Sequence, residues 1–240
     1  MYKKNHLSIL LSVLLAAALL AGCGSASGGT QAAPATEPET APAEGPVTGG
    51  WDAEESFALT DETSAVFAKA MEGLSGVSYE PAACLARQVV SGTNRAYFCR
   101  ARVVYPDAKP YFAIVYVYEA LDGGTEILGI DGITPDGRYD ADAGSAEGLA
   151  GGWSVPESED EGLAAFAKAA ETLLGVDYTP VTVTGEQVVS GMNYCVLCQA
   201  RTVAPEARPY YCFLHLYRDL QGNVSVQSTD ILEIVGPQAA

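Results

Sequence analysis

The chain carries one unit twice. FAKAMEGLSGVSY at 67–79 aligns with FAKAAETLLGVDY at 166–178, and YPDAKPYFAIVYVYEALDGG at 105–124 aligns with APEARPYYCFLHLYRDLQGN at 204–223. The offset is constant (166 − 67 = 99; 204 − 105 = 99). Each copy opens with GGW, at Gly49–Trp51 and Gly151–Trp153. Two copies are too few for a solenoid, and each is long enough to close its own core. The expectation is two tandem domains, 49–134 and 149–240, joined by a polar linker at 135–148.

Within each copy the apolar period changes from helical to strand-like. Thr60 suits an N-cap before a helix from Asp61, with Val66, Phe67, Ala70, Met71 and Leu74 on one face. In the second copy 157–174 reads alike, with Leu163, Phe166, Ala167, Ala170 and Leu174 inward. Gly76 and Gly175 suit the helix ends. CLARQVV, AYFCRARVVY, YFAIVYVYEAL and TEILGI then read as strands, broken at SG, PDAKP and DGG. One helix before an antiparallel meander predicts an α+β domain with the helix on one sheet face.

The first residues set the compartment. Lys3 and Lys4 precede the apolar run LSILLSVLLAAALL, which ends in LLAGC at Cys23. This is a signal-peptide pattern, and its end resembles a bacterial lipoprotein signal. The resemblance implies loss of residues 1–22, lipid on Cys23, and a protein held on the outer face of the bacterial cell membrane by that lipid alone. Residues 24–48 are small, polar and Pro-rich, which suits a disordered tether. The formal net charge of −17, with no basic run after the leader, argues against nucleic-acid partners.

Both copies contain QVVSG, at 88–92 and 187–191, after their opening glycines. In this each copy resembles the cystatins, inhibitors of papain-like cysteine proteases. Gln88, Val90 and Gly92, and Gln187, Val189 and Gly191, match that family's Gln-x-Val-x-Gly hairpin, and Gly49 and Gly151 match its N-terminal glycine. LAGG at 149–152 fits that element well and PVTGG at 46–50 less well. The family's second hairpin often carries Pro-Trp; here the positions read EALDGG (119–124) and RDLQG (218–222). The resemblance implies two tandem cystatin-like domains, each filling a protease cleft as a non-covalent wedge. The contact residues would be Gly49, Gln88, Val89, Val90, Ser91, Gly92 and Leu121, and Gly151, Gln187, Val188, Val189, Ser190, Gly191 and Leu220. The missing Pro-Trp keeps a second reading open, a non-inhibitory binding or scaffold module.

Five cysteines follow Cys23. A hairpin centred on Ser91–Gly92 sets Cys84 opposite Cys99, and one turning through APEARP sets Cys198 opposite Cys212. Those pairings predict two disulfides with Cys195 left free. Cys195-x-x-Cys198 with Cys212-x-x-His215 has zinc-like spacing, but both pairs lie inside apolar strand runs, where i and i+3 point to opposite faces. No metal or cofactor is expected. His215 is the one histidine after the leader. A Cys195–His215 dyad is conceivable, but no oxyanion motif accompanies it, so the chain reads as a non-enzyme.

Overall fold

Both faces of the inner strands of each meander are apolar, and the fold uses both. A computed structural model describes residues 49–145 and 151–237. The leader, Cys23, the tether, Val47-Thr48, Leu149-Ala150 and part of the linker lie outside the described residues. The first sheet is β1 (Asp52–Ala53), β2 (Val77–Val90), β3 (Gly92–Val103), β4 (Tyr111–Glu119) and β5 (Thr125–Ile133), antiparallel in that order. The second is β6 (Val176–Val189), β7 (Gly191–Thr202), β8 (Tyr210–Arg218) and β9 (Val224–Leu232).

Side chains alternate across a strand, and the alternation sorts them between two cores. Leu85, Phe98, Phe112 and Ile114 of the first sheet share one buried cluster with Cys195, Leu197, Tyr211 and Phe213 of the second. Phe98 and Phe112 stack there at 5.2 Å between ring centroids. The sheets therefore lie face to face, and each such large apolar side chain contributes about 1.5–3 kcal/mol on burial. The intervening residues point outward. Cys84, Tyr97, Cys99 and Val115 pack under Val66 and Phe67 of α1 (Asp61–Ala70). Tyr194, Val196, Cys198 and Leu214 pack under Ala165, Phe166 and Ala169 of α2 (Asp160–Ala170).

The α+β expectation is thereby corrected. Strand makes up 48% of the structure against 13% helix, so the class is mostly β. Two separate helix-on-sheet domains are not what forms, because the sheet face away from each helix is as apolar as the face under it. Each half buries that face against the other half. The helices are also shorter than the apolar spacing suggested. Leu74 and Leu174 fall beyond them and are exposed, and Leu163 and Ala167 face solvent while Ala165 and Ala169 turn inward.

Local chemistry explains the elements. Thr60 accepts the Thr63 N–H at 3.1 Å, and the Thr63 hydroxyl accepts the Thr60 N–H at 2.9 Å, a reciprocal cap. Pro81 and Pro180 sit at bulges of β2 and β6. Beyond the bulges, the Cys84 N–H finds the Phe57 carbonyl at 3.0 Å and the Val183 N–H finds the Glu159 carboxylate at 3.1 Å.

Each half also holds the other's N-terminal segment. Gln199 donates to the Glu54 carbonyl at 2.8 Å, and its repeat equivalent Arg100 donates to the Pro156 carbonyl at 3.4 Å. Arg208, in the β7–β8 turn, reaches Asp52 at 2.9 Å, while Asp52 pairs with Arg87 close to the β2–β3 tip. The far end of one sheet thus lies against the tip end of the other. The two QVVSG tips point out of opposite ends of the sandwich, on the order of 50 Å apart at about 3.3 Å per strand residue.

Candidate functional site

At each end three segments meet because of antiparallel register. Val90 pairs with Gly92 across Ser91, and Thr93 pairs with Glu119, so the β4–β5 turn at 120–124 lies beside the β2–β3 tip. Asp52 pairs with Arg87, which brings Gly49 to the same end. Val89 is 69% exposed, Val90 42% and Leu121 91%. The second copy repeats this with Val188 at 69%, Val189 at 43% and Leu220 at 79%. These are the sequence-expected contact residues, and the fold gathers each set at one end.

The tip is held from behind. Gly92 has φ 134° and Gly191 φ 128°. A Cβ on Gly92 would collide with the Glu119 carbonyl and come within 2.7 Å of the Tyr118 ring, so only glycine fits. Tyr118 donates its hydroxyl to the Ser91 carbonyl at 2.6 Å, and Tyr217 does the same to Ser190. Gln88 donates its amide to the Gly49 carbonyl at 2.6 Å and accepts from Asn94 at 2.7 Å. Gln187, Gly151 and Asn193 match this at 2.9 and 2.8 Å. The glutamines thus position the N-terminal strand against the hairpin. Gly49 and Gly151 have φ 83° and 76° with open space at their Cβ positions, so backbone conformation selects glycine there. Asn94, Asn193, Tyr118 and Tyr217 were missed as functional positions. Their signal was the 99-residue offset, which both pairs obey.

Helix and turn are tied to the same end. Lys69 donates to the Gly123 carbonyl at 2.6 Å, and Lys168 to Gly222 at 3.2 Å. Arg95, on β3, joins Glu62 of α1 at 2.8 Å to Glu119 at 3.3 Å. In the second copy the positive charge moves to β8. There Arg218 pairs with Glu161 at 2.7 Å, lies over the Tyr194 ring, and shares Glu161 with the Tyr194 hydroxyl. Glu161 is held below the usual carboxylate range by those hydrogen bonds from Arg218 and Tyr194.

The structure holds neither expected bridge, and only one of the two expected pairings is in register. All five cysteines of the described residues are free and buried. The first hairpin turns on Ser91, with Val90 opposite Gly92, and bulges of β2 shift the register further, so Cys84 faces Tyr97 and Cys99 faces Pro81. Cys198 does face Cys212 across β7 and β8, but both are thiols. Burial pushes the Cys84, Cys195 and Cys212 thiols up to about 12.

Cys195 lies 4.0 Å from His215 Nε2, and Asp230 pairs with that same nitrogen at 3.0 Å. A nucleophile relay needs the acid on the opposite ring nitrogen, and a buried thiol near 12 is not ionised at neutral pH. His215 stands edge-on to Trp153 at 5.8 Å, packing rather than activating Cys195. Among the described residues no group of three or more His, Cys, Asp or Glu side chains is arranged to hold a metal, and no helix is long and apolar enough to cross a membrane.

What the fold and its ends define is a helix-flanked β-sandwich that presents two braced apolar tips in opposite directions. No protein-family model matches the chain, and no curated protein matches it in sequence.

Proposed function

We propose that the chain inhibits papain-like cysteine proteases by plugging the cleft with either end. The observation that carries this is the convergence of Gly49, Val89-Val90 and Leu121 on one braced end, repeated by Gly151, Val188-Val189 and Leu220 on the other. Such an end needs no reactive group. Exposed valines and a leucine supply apolar contact, and the Gln88 and Tyr118 hydrogen bonds remove most of the ordering cost before binding. Lipid on Cys23 would hold this two-ended plug on the outer face of the cell membrane. Titration of papain and several relatives with purified protein, read with a fluorogenic substrate, tests the reading. Inhibition saturating at two proteases per chain is expected, and no inhibition at micromolar protein would reject it. The runner-up is a two-ended binding module without inhibitory activity. It draws support from leucine, with less contact area, where the resembled family carries tryptophan.

A further inference from the structure

The two halves close differently where the sheets meet. On one side Gly185 of β6 lies under the Pro135 carbonyl, and a Cβ at 185 would collide with that oxygen. The Thr184 hydroxyl donates to the same carbonyl at 3.0 Å. The chain then turns back. Thr134 N–H bonds the Arg138 carbonyl at 2.8 Å, Tyr139 pairs with Ile133, and Asp140 N–H bonds the Gly132 carbonyl at 2.9 Å. Gly144 ends close against the Tyr111 ring. Residues 138–144 thus act as a short added strand and cover on β5.

The equivalents 99 residues away do not repeat the two contacts to Pro135. Ala86 carries the Cβ that Gly185 lacks, Leu85 has no hydroxyl in place of Thr184, and Ile234 replaces Pro135. A groove of about 680 Å³ opens there. Tyr210, Ile231, Leu232 and Glu233 form one wall. They are the equivalents of Tyr111, Gly132, Ile133 and Thr134, against which residues 138–144 are seated. Trp51 and Ala53 line the facing wall. Among the described residues β9 pairs only with β8, so its outer edge is an open pairing template up to Glu233, whose carbonyl accepts the Tyr139 hydroxyl at 2.8 Å.

We propose that this groove binds an extended peptide segment of a partner protein as an added strand on β9, in the position that residues 138–144 hold on β5. The internal repeat supplies the binding mode. A small residue would lie over Tyr210 as Gly144 lies on Tyr111. Asp52, Glu54, Glu55 and Glu233 outnumber Arg87 and Arg208 around the groove, which selects a neutral or basic segment. The site adjoins the first tip through Gly50 and Arg87 but shares no residue with the tip contacts, and it does not rest on protease inhibition.

The test uses the full chain and a fluorescent peptide of residues 138–145 made with Asp140→Asn and Asp142→Asn. Binding is read by anisotropy, and by Trp51 emission in a Trp153→Phe background. Saturable binding is expected. Glu233→Pro should weaken it at least tenfold, by removing the equivalent of the Thr134 N–H that bonds the Arg138 carbonyl, and so should Ala53→Trp, which fills the groove from the other wall, with melting curves confirming that both variants fold. No binding up to about 1 mM peptide, or binding unchanged in both variants, overturns the proposal. Self-association of the chain that both variants abolish would make a second copy the occupant, and binding that appears only after removal of residues 238–240 would make it the chain's own end. Either result overturns it.

Discussion

The Gln88 side-chain amide meets the Gly49 carbonyl at 2.6 Å, across 39 residues of chain, and so joins the N-terminal strand to the hairpin tip. Gln88→Ala should lower the melting temperature by no more than a few degrees, because the bond is exposed. An exposed neutral hydrogen bond contributes about 0.5–1.5 kcal/mol, so inhibition at that end should weaken roughly three- to tenfold. Equal affinity of variant and parent for papain would show that the strand needs no tether.

The tips point in opposite directions, so they should act independently. Val89→Asp should abolish binding at one end and lower the titrated stoichiometry from two proteases per chain to one. Val188→Asp should do the same at the other end, and the double variant should be inactive while folding normally. Loss of both sites from one substitution would mean that the ends are coupled.

The shared core makes the two halves one folding unit. Phe98→Ala and Phe213→Ala each remove a fully buried ring, and each should cost about 3–5 kcal/mol. Calorimetry should show one transition that either variant lowers as a whole. Residues 49–134 and 149–240 expressed separately should expose the inner sheet face and aggregate. Two resolved transitions in the parent protein would contradict a common core.

Buried thiols pushed to about 12 react slowly with disulfide reagents. Native protein at pH 8 should release almost no thionitrobenzoate within minutes. In guanidinium, five thiols besides Cys23 should react. A count of three would mean that one pair is bridged in the protein as made.

Acid should destabilise the fold through His215. Burial lowers its pKa below the ordinary 6.5, and this outweighs the opposing pull of Asp230. The unfolded chain then takes up the proton first as pH falls. Stability is full above 6.5 and declines as pH drops from there toward the lowered folded value. The urea midpoint should fall as pH drops below 6.5, and His215→Gln should flatten that fall. A midpoint that rises on acidification would mean that the Asp230 pairing dominates.

Much was legible in sequence because it is encoded within a few residues. The Thr60 cap, the glycine-dependent tips at Gly92 and Gly191, and the strand runs depend on local backbone chemistry, and the 99-residue offset announced that whatever one copy does the other repeats. The offset also marked Asn94 and Tyr118 through Asn193 and Tyr217, although their partners could not be read from it. Which face of AYFCRA or YFAIVYVY meets what was not encoded locally. Both faces are apolar, so period-two alternation leaves no polar side to name the solvent. Only tertiary packing decided that Phe98 and Ile114 meet the second sheet while Tyr97 and Val115 meet a helix. Cys198 faces Cys212 as the hairpin sum expected, but Cys84 misses Cys99, because the first hairpin turns on Ser91 alone and the bulges after Pro81 and Cys84 shift β2 further, which a hairpin sum cannot see. The groove beside Trp51 lay furthest from sequence. In the other half Gly185 lies under the Pro135 carbonyl, where a Cβ would collide, whereas Ala86 carries that Cβ, and a one-methyl difference has a consequence only where a crossing backbone comes close.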